Sequence, residues 1–394
     1  MKKIVSGITV LALLVSCSKE EVIDVNHDGD EITFDVVTNS ATRAADVYCN
    51  INMPEGFYVS AISDGQTYID KDQIANEDGS WVNKSGVRYW PATPVDFYAY
   101  YNDNNSYSWS VENQKAVAKF VDFTVNDNVA AQQDLIYAVK TNQSKPGENA
   151  ANTPVALNFR HALSQIVFQA KNTNANLYVE ISGVDVVNVG NKNTFTFPSA
   201  DTDKNIVDHD GTTADYPAGA DGWGTWAELT SGDASYAVAF DAVAVNGDSQ
   251  IVALTTTDDG AKDGEFNSNT MLLLPQKTTA WDAKSMLGET TGSYFLVNCI
   301  IKNVSGEQVS DDDVYLWGDN STGAWKAKKL AIPVAFDWKQ GKKYIYTLVF
   351  GEGNGGYEPD PEDPTPDPVL VPITFTVTVD DFVTPGATEV ESGK

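Results

Sequence analysis

The sequence predicts an all-β protein built from sandwiches, and three observations carry that expectation. Short runs of β-branched and aromatic residues recur roughly every 10 to 20 residues, separated by Gly, Asn, Asp and Pro clusters. Among them are Gly56–Ile62, Val95–Tyr101, Ile166–Phe168, Leu177–Ile181, Tyr236–Phe240, Tyr294–Asn298 and Tyr344–Phe350. Helical periodicity is nearly absent. The composition, 42% apolar and 11% aromatic, supplies packed cores rather than a disordered chain. A length of 394 residues exceeds what one core usually serves, so two domains are expected. Acids number 55 against 26 Lys and Arg, a formal net charge of −29. That balance excludes nucleic acid as a natural partner, because phosphate contacts need positive side chains.

The chain opens with the basic head Met1-Lys2-Lys3 and an apolar run from Ile4 to Val15, too short to span a bilayer. The run ends in Leu14-Val15-Ser16-Cys17, which resembles a bacterial lipobox, with Cys17 as the acylated residue. Residues 1–16 are then a lipoprotein signal peptide, and acyl chains on Cys17 would hold the protein at the outer membrane. Ser18-Lys19-Glu20-Glu21 is similar to the acidic surface-export signal of Bacteroidetes lipoproteins. The rest of the leader, 17–43, holds a first strand at Ile32-Thr33-Phe34-Asp35-Val36 and then the polar loop Asn39-Ser40-Ala41-Thr42-Arg43-Ala44. A protease could reach the single arginine there.

Next come an N-terminal sandwich domain, 44–152, and a C-terminal one, 153–356, divided at the polar stretch Thr141–Asn152. Gly- and Asp-rich insertions such as Asp201–Gly224 read as loops. Residues 357–368 carry five prolines and five acids, which read as an extended spacer. The final segment, 369–394, alternates strictly: Ile373, Phe375, Val377 and Val379 lie on one face, Thr374, Thr376 and Thr378 on the other. One strand cannot bury that face alone, so it returns to its own domain or inserts into something else. Its Ile373-Thr374-Phe375-Thr376-Val377 repeats the first strand in four positions of five. Chance similarity among strand formers is the bland account. The alternative is that the two segments compete for one apolar groove, so that loss of the first lets the second enter by strand addition.

Several segments in order resemble the fimbrillin family, the lipoprotein pilins of Bacteroidetes. Besides the lipobox and Ala41-Thr42-Arg43-Ala44, they are Tyr89-Trp90-Pro91 before Asp96–Tyr101, Asp134–Ala138, Phe159–Ile166, Leu274-Pro275-Gln276 and Trp338–Tyr346. The resemblance implies two transthyretin-like β-sandwich domains, with an N-terminal leader and a C-terminal donor-strand extension. It implies lipidation at Cys17, surface export, and cleavage by an arginine-specific protease at Arg43-Ala44. The cut would release Ile32, Phe34 and Val36 as a displaced strand. The donor strand of another pilin subunit would then enter with Ile373, Phe375, Val377 and Val379, and with Phe382 as a further contact. Four such side chains at ~1.5–3 kcal/mol each give roughly 6–12 kcal/mol before ordering costs. The expected product is a cell-surface fimbrium for adhesion to a host or bacterial surface glycan or protein. The long spacer leaves stalk, tip and anchor roles open.

Other chemistry has thin support. Three histidines and three cysteines leave little for a metal site or a triad, and no Gly-x-Ser-x-Gly, HExxH or Cys-x-x-Cys occurs. No catalytic residue, metal or cofactor is expected, and His161 and His209 read as buried or solvated. Asp24 to Asp35 has nearly the spacing of a calcium loop without helical flanks, so an acidic leader is the simpler account. Gly351–Gly356 follows a strand but precedes no helix, so it reads as a linker. Cys49 and Cys299 read as buried thiols, with a disulfide as the alternative. The rival to the pilin reading is a surface lipoprotein that binds glycans as a non-catalytic module, with Trp223, Trp226 and Trp325 near polar loops available to stack on sugars.

Overall fold

The computed structural model describes residues 30–36, 56–101, 105–147, 153–202, 222–229, 232–255, 270–282, 291–304, 309–310, 313–353, 355–359, 367–369 and 373–381. The first strands are β1 (Phe34–Val36), β2 (Gly56–Ser63), β3 (Gln66–Glu77), β4 (Ser80–Asn83) and β5 (Val95–Tyr101). They are followed by β6 (Tyr107–Glu112), β7 (Lys115–Thr124), β8 (Ile136–Gln143), β9 (Val155–Leu157) and β10 (Arg160–His161). Asp64-Gly65 turns β2 into β3 with φ of 49° and 72°, the positive-φ pair that matches the twist of a tight hairpin. The central sheet runs β10-β8-β5-β2-β3-β4.

Both faces of that sheet are covered. In β5, Val95, Phe97 and Ala99 join one core with Ile32, Phe34, Val36, Val155 and Leu157. Tyr98 and Tyr100 join another with Tyr107, Phe120 and Phe195. Double coverage explains why Val95–Tyr101 is apolar almost throughout instead of alternating.

The chain continues through β11 (Ser164–Asn172), β12 (Leu177–Val189), β13 (Lys192–Thr196), β14 (Thr225–Trp226), β15 (Ala234–Val245) and β16 (Val252–Ala253). It ends with β17 (Met271–Leu273), β18 (Tyr294–Asn303), β19 (Val314–Trp317), β20 (Lys328–Pro333), β21 (Lys342–Phe350) and β22 (Ile373–Asp381). Two sheets form a sandwich here. One runs β16-β11-β21-β22 and the other β15-β12-β18-β19, with β17 added to β11 and β20 to β18. Their inner faces meet at Phe168, Phe295 and Tyr346, with ring centroids 5.1 to 5.3 Å apart around Phe295. The all-β sandwich expectation holds.

Sheet pairing crosses the expected division at residue 152. Beyond it, β9 pairs with β1 and β10 with β8. Later still, β13 and β14 complete a β14-β13-β7-β6 sheet on the N-terminal half. A polar stretch looks the same whether it links domains or connects strands of one sheet.

The spacer also differs from an extended segment where its ends are described. Tyr357 and Ala331 exchange two backbone hydrogen bonds of 2.9 Å, Glu358 N donates to Asp367 O at 3.0 Å, and Val369 N donates to Gly356 O at 2.8 Å. Its two ends are therefore fastened to each other and to β20. Gly353 (φ +91°) lets the preceding turn pass the start of β22, since a Cβ there would lie 2.7 Å from Ile373 O.

Candidate assembly site

The first strand lies in a fully lined seat. Ile32, Phe34 and Val36 are 2%, 4% and 2% exposed, whereas Asp35 between them faces solvent. The Phe34 ring meets Phe97 edge-on at 5.5 Å and Phe57 at 6.4 Å. On one side β1 pairs in parallel with β9, Phe34 opposite Val155 and Val36 opposite Leu157, and Val155 N donates to Thr33 O at 2.7 Å. On the other side the Arg88–Trp90 segment completes the seat. Ile32 N donates to Arg88 O at 2.7 Å, and Trp90 N donates to Asp30 O at 3.2 Å. Arg88 is held by a two-pronged ion pair to the buried Asp72, with bonds of 2.7 and 2.8 Å. Without Ile32–Val36 this seat would be an apolar trough with open backbone groups along both rims. Burial of the three side chains is worth at most roughly 5–9 kcal/mol.

The last strand has a different setting. β22 is the edge strand of its own chain's sheet, antiparallel to β21 over nine residues, with Phe375 opposite Leu348 and Val377 opposite Tyr346. Ile373 is buried, and Phe375 is half-buried with its ring 6.0 Å from Phe295 and 6.1 Å from Tyr346. Val377 and Val379 remain 46% and 38% exposed. The apolar stripe read from the sequence is thus only half covered. In this structure the echoing segments occupy separate sites, β1 against β9 and β22 against β21.

Cys17, Arg43, Ala44, Phe382, Cys49, His27 and His209 lie outside the described residues. His161 is 2% exposed and its Nδ1 meets the Asp134 carboxylate in a pair tying β10 to the segment before β8. Cys299 is fully buried, and burial pushes its thiol up to about 12. The three tryptophans separate. Trp223 is buried with the Arg160 guanidinium 4.1 Å from its ring centre. Trp226 is half-buried and donates from Nε1 to Ala162 O at 2.7 Å. Trp325 is 38% exposed.

Two parts of the seat escape a sequence reading of the site, Val155–Leu157 and Arg88–Trp90. The alternation of Val155, Ala156 and Leu157 after Pro154 marks a strand. No local signal names its partner, because parallel pairing has no connecting hairpin turn.

The sequence model of the fimbrillin-like family matches residues 29–381. No curated protein sequence matches the chain. Among solved structures, a fimbrial protein from Bacteroides vulgatus is similar in fold, with a TM-score of 0.52 at 15% identity over 90% of this chain and 99% of that one. A candidate cell adhesion protein from Bacteroides uniformis aligns at 15% identity over 90% and 99% of the two chains, with a TM-score of 0.40. Another from Parabacteroides distasonis aligns at 13% identity over 89% and 98%, with a TM-score of 0.44. With a match spanning both the first strand and the last, this chain belongs to the fimbrillin-like family.

Proposed function

We propose that the chain is a structural subunit of a cell-surface fimbrium. In this reading it is exported as a lipoprotein through Cys17, cut after Arg43, and polymerised by donor-strand exchange. The observation that carries it is the contrast between the two strands. β1 fills a buried seat just upstream of Arg43, while β22 presents the same Ile-Thr-Phe-x-Val pattern with two valines half in water. After proteolysis, β1 would be held by a short segment without a covalent tether to the mature chain. The trough it vacates would bury the stripe of an incoming β22 better than β21 does. Exchange would cost the donor its half-covered edge pairing and return a covered one, with backbone bonds on two sides. Family membership supports an adhesive, fimbrial role.

The test is to treat purified precursor with an arginine-specific protease and run it unheated in SDS. Ladders are expected from cleaved chains and not from Arg43→Ala. Complete cleavage at Arg43 with monomer only would overturn the reading.

A further inference from the structure

One exposed aromatic group is neither core nor part of the strand seat. Trp325 stands on a hairpin that β19 enters and β20 leaves, and its ring lies 4.2 Å from that of Tyr315 at an interplanar angle of 4°. Lys302 Nζ is 4.5 Å from the centre of Tyr315. The registers Tyr178↔Lys302 and Lys302↔Tyr315 place these side chains in one row across β12, β18 and β19. They are on the outer face of the sheet, since the sequence neighbours Leu177, Val179 and Ile301 are all buried. Tyr178 donates from its hydroxyl to the Glu180 carboxylate at 3.2 Å, which fixes an acceptor beside the row.

The hairpin is built to hold the indole still. Asp319 and Lys326 exchange backbone hydrogen bonds of 2.9 and 2.8 Å, and Gly323 N donates to Asn320 O at 3.0 Å. The Asp319 carboxylate accepts from Ser321 N at 2.8 Å and from Ser321 Oγ at 3.1 Å. Gly318 has φ of +149°, and a Cβ there would crowd Trp325 at 3.0 Å, so glycine lets the ring lie down on Tyr315. The indole packs one face on Tyr315 and keeps 38% of its surface in water, so part of a flat aromatic surface stays available to a ligand.

We infer that this row is a carbohydrate-binding platform, with the solvent-facing side of Trp325 stacking on a neutral pyranose. The sugar's C–H face is weakly positive and matches the electron-rich face of an indole. Glu180, Lys302, Asn320 and Ser321 offer a mixture of acceptors and donors for its hydroxyls. A nucleotide would also stack, but of the lysines here Lys302 lies over the Tyr315 ring and Lys328 is paired with Glu358, while Asp319 and Glu180 would oppose its phosphates on a chain of net charge −29. A protein partner needs roughly 800 Å² on each side, and Trp325 and Tyr315 together with the exposed Val314 and Leu316 of β19 offer a few hundred at most. Binding here is independent of strand exchange.

The probes are laminarin, yeast mannan, xylan, dextran and chitohexaose. Polysaccharides are run by affinity gel electrophoresis, and chitohexaose is titrated by tryptophan fluorescence. At least one probe is expected to bind the wild type. Trp325→Ala should weaken that binding by about tenfold or more, as expected for a central aromatic contact. Glu180→Gln should weaken it less, and both variants should keep the wild-type thermal transition and ladder formation. Absence of binding to every probe would overturn the inference. So would equal binding by both variants, or a Trp325→Ala variant that binds no differently but no longer self-associates, since the occupant would then be a second copy of the chain.

Discussion

Val377→Asp separates the free subunit from the assembled one more sharply than any other substitution. In the free chain Val377 is 46% exposed at a sheet edge, so a carboxylate there stays largely hydrated. Surface substitutions of this kind usually change stability by ~0.5 kcal/mol or less. If the last strand replaces the first residue for residue, Val377 takes the place of Val36, which is 2% exposed. The joint then loses ~1–2 kcal/mol of valine burial. It must also bury a carboxylate opposite Leu157, in the apolar cluster that Val36 shares with Phe34, Phe57 and Val155, at a cost of several kcal/mol. At ~1.4 kcal/mol per tenfold, a total of ~4 kcal/mol or more weakens the joint at least ~10³-fold. The assay is arginine-specific proteolysis followed by unheated SDS electrophoresis, with thermal unfolding of the uncut protein alongside. A melting temperature within a few degrees of wild type and no ladder is the expected pair of results. Normal ladders from Val377→Asp would refute the residue-for-residue replacement.

Three further outcomes follow from the same geometry. Phe34→Ala removes a ring that is 4% exposed, so urea unfolding of the precursor should show a loss of ~3–5 kcal/mol, while cleaved subunits should be unaffected because the residue has left. Phe375→Asp should abolish ladders and leave a folded monomer; its melting temperature should fall by a few degrees, because the half-buried ring also packs on Phe295 and Tyr346. In a Cys49→Ser background, Cys299 should resist a thiol reagent at pH 8, where a thiol raised to about 12 stays protonated as well as enclosed, and should react fully once the protein is unfolded.

Much of the architecture was legible because it is local. The strict alternation of Ile373 to Val379 marks a strand with one apolar face, and the β-branched and aromatic run Gly56–Ile62 marks β2 to within a residue. What escaped was long-range. Nothing in Val155–Leu157 announces that it lies parallel to Phe34–Val36, and nothing in Lys192–Thr196 announces a return to β7. Pairing at such separations is decided by which apolar faces remain uncovered after local hairpins form. Side-chain environment was read no better at loops: Trp223 and Trp325 both follow polar, Gly-containing stretches, yet one lies buried beside Arg160 and the other in water on Tyr315. The prolines and acids of residues 357–368 predict an extended spacer, but composition does not reveal that Tyr357 would find Ala331.

The central claim is that the last strand of one subunit occupies the seat of the first strand of another, and a disulfide reports that directly. Asp35 lies opposite Ala156 in the β1–β9 register, both with exposed side chains, and Thr376 is the residue of β22 that echoes Asp35. Thr376→Cys and Ala156→Cys are combined in the Cys49→Ser background, cleaved after Arg43 and oxidised. Ladders are expected that are covalent between subunits, collapse on reduction, and are absent from uncut precursor. Subunits that assemble after cleavage without a disulfide between the two introduced thiols would contradict it.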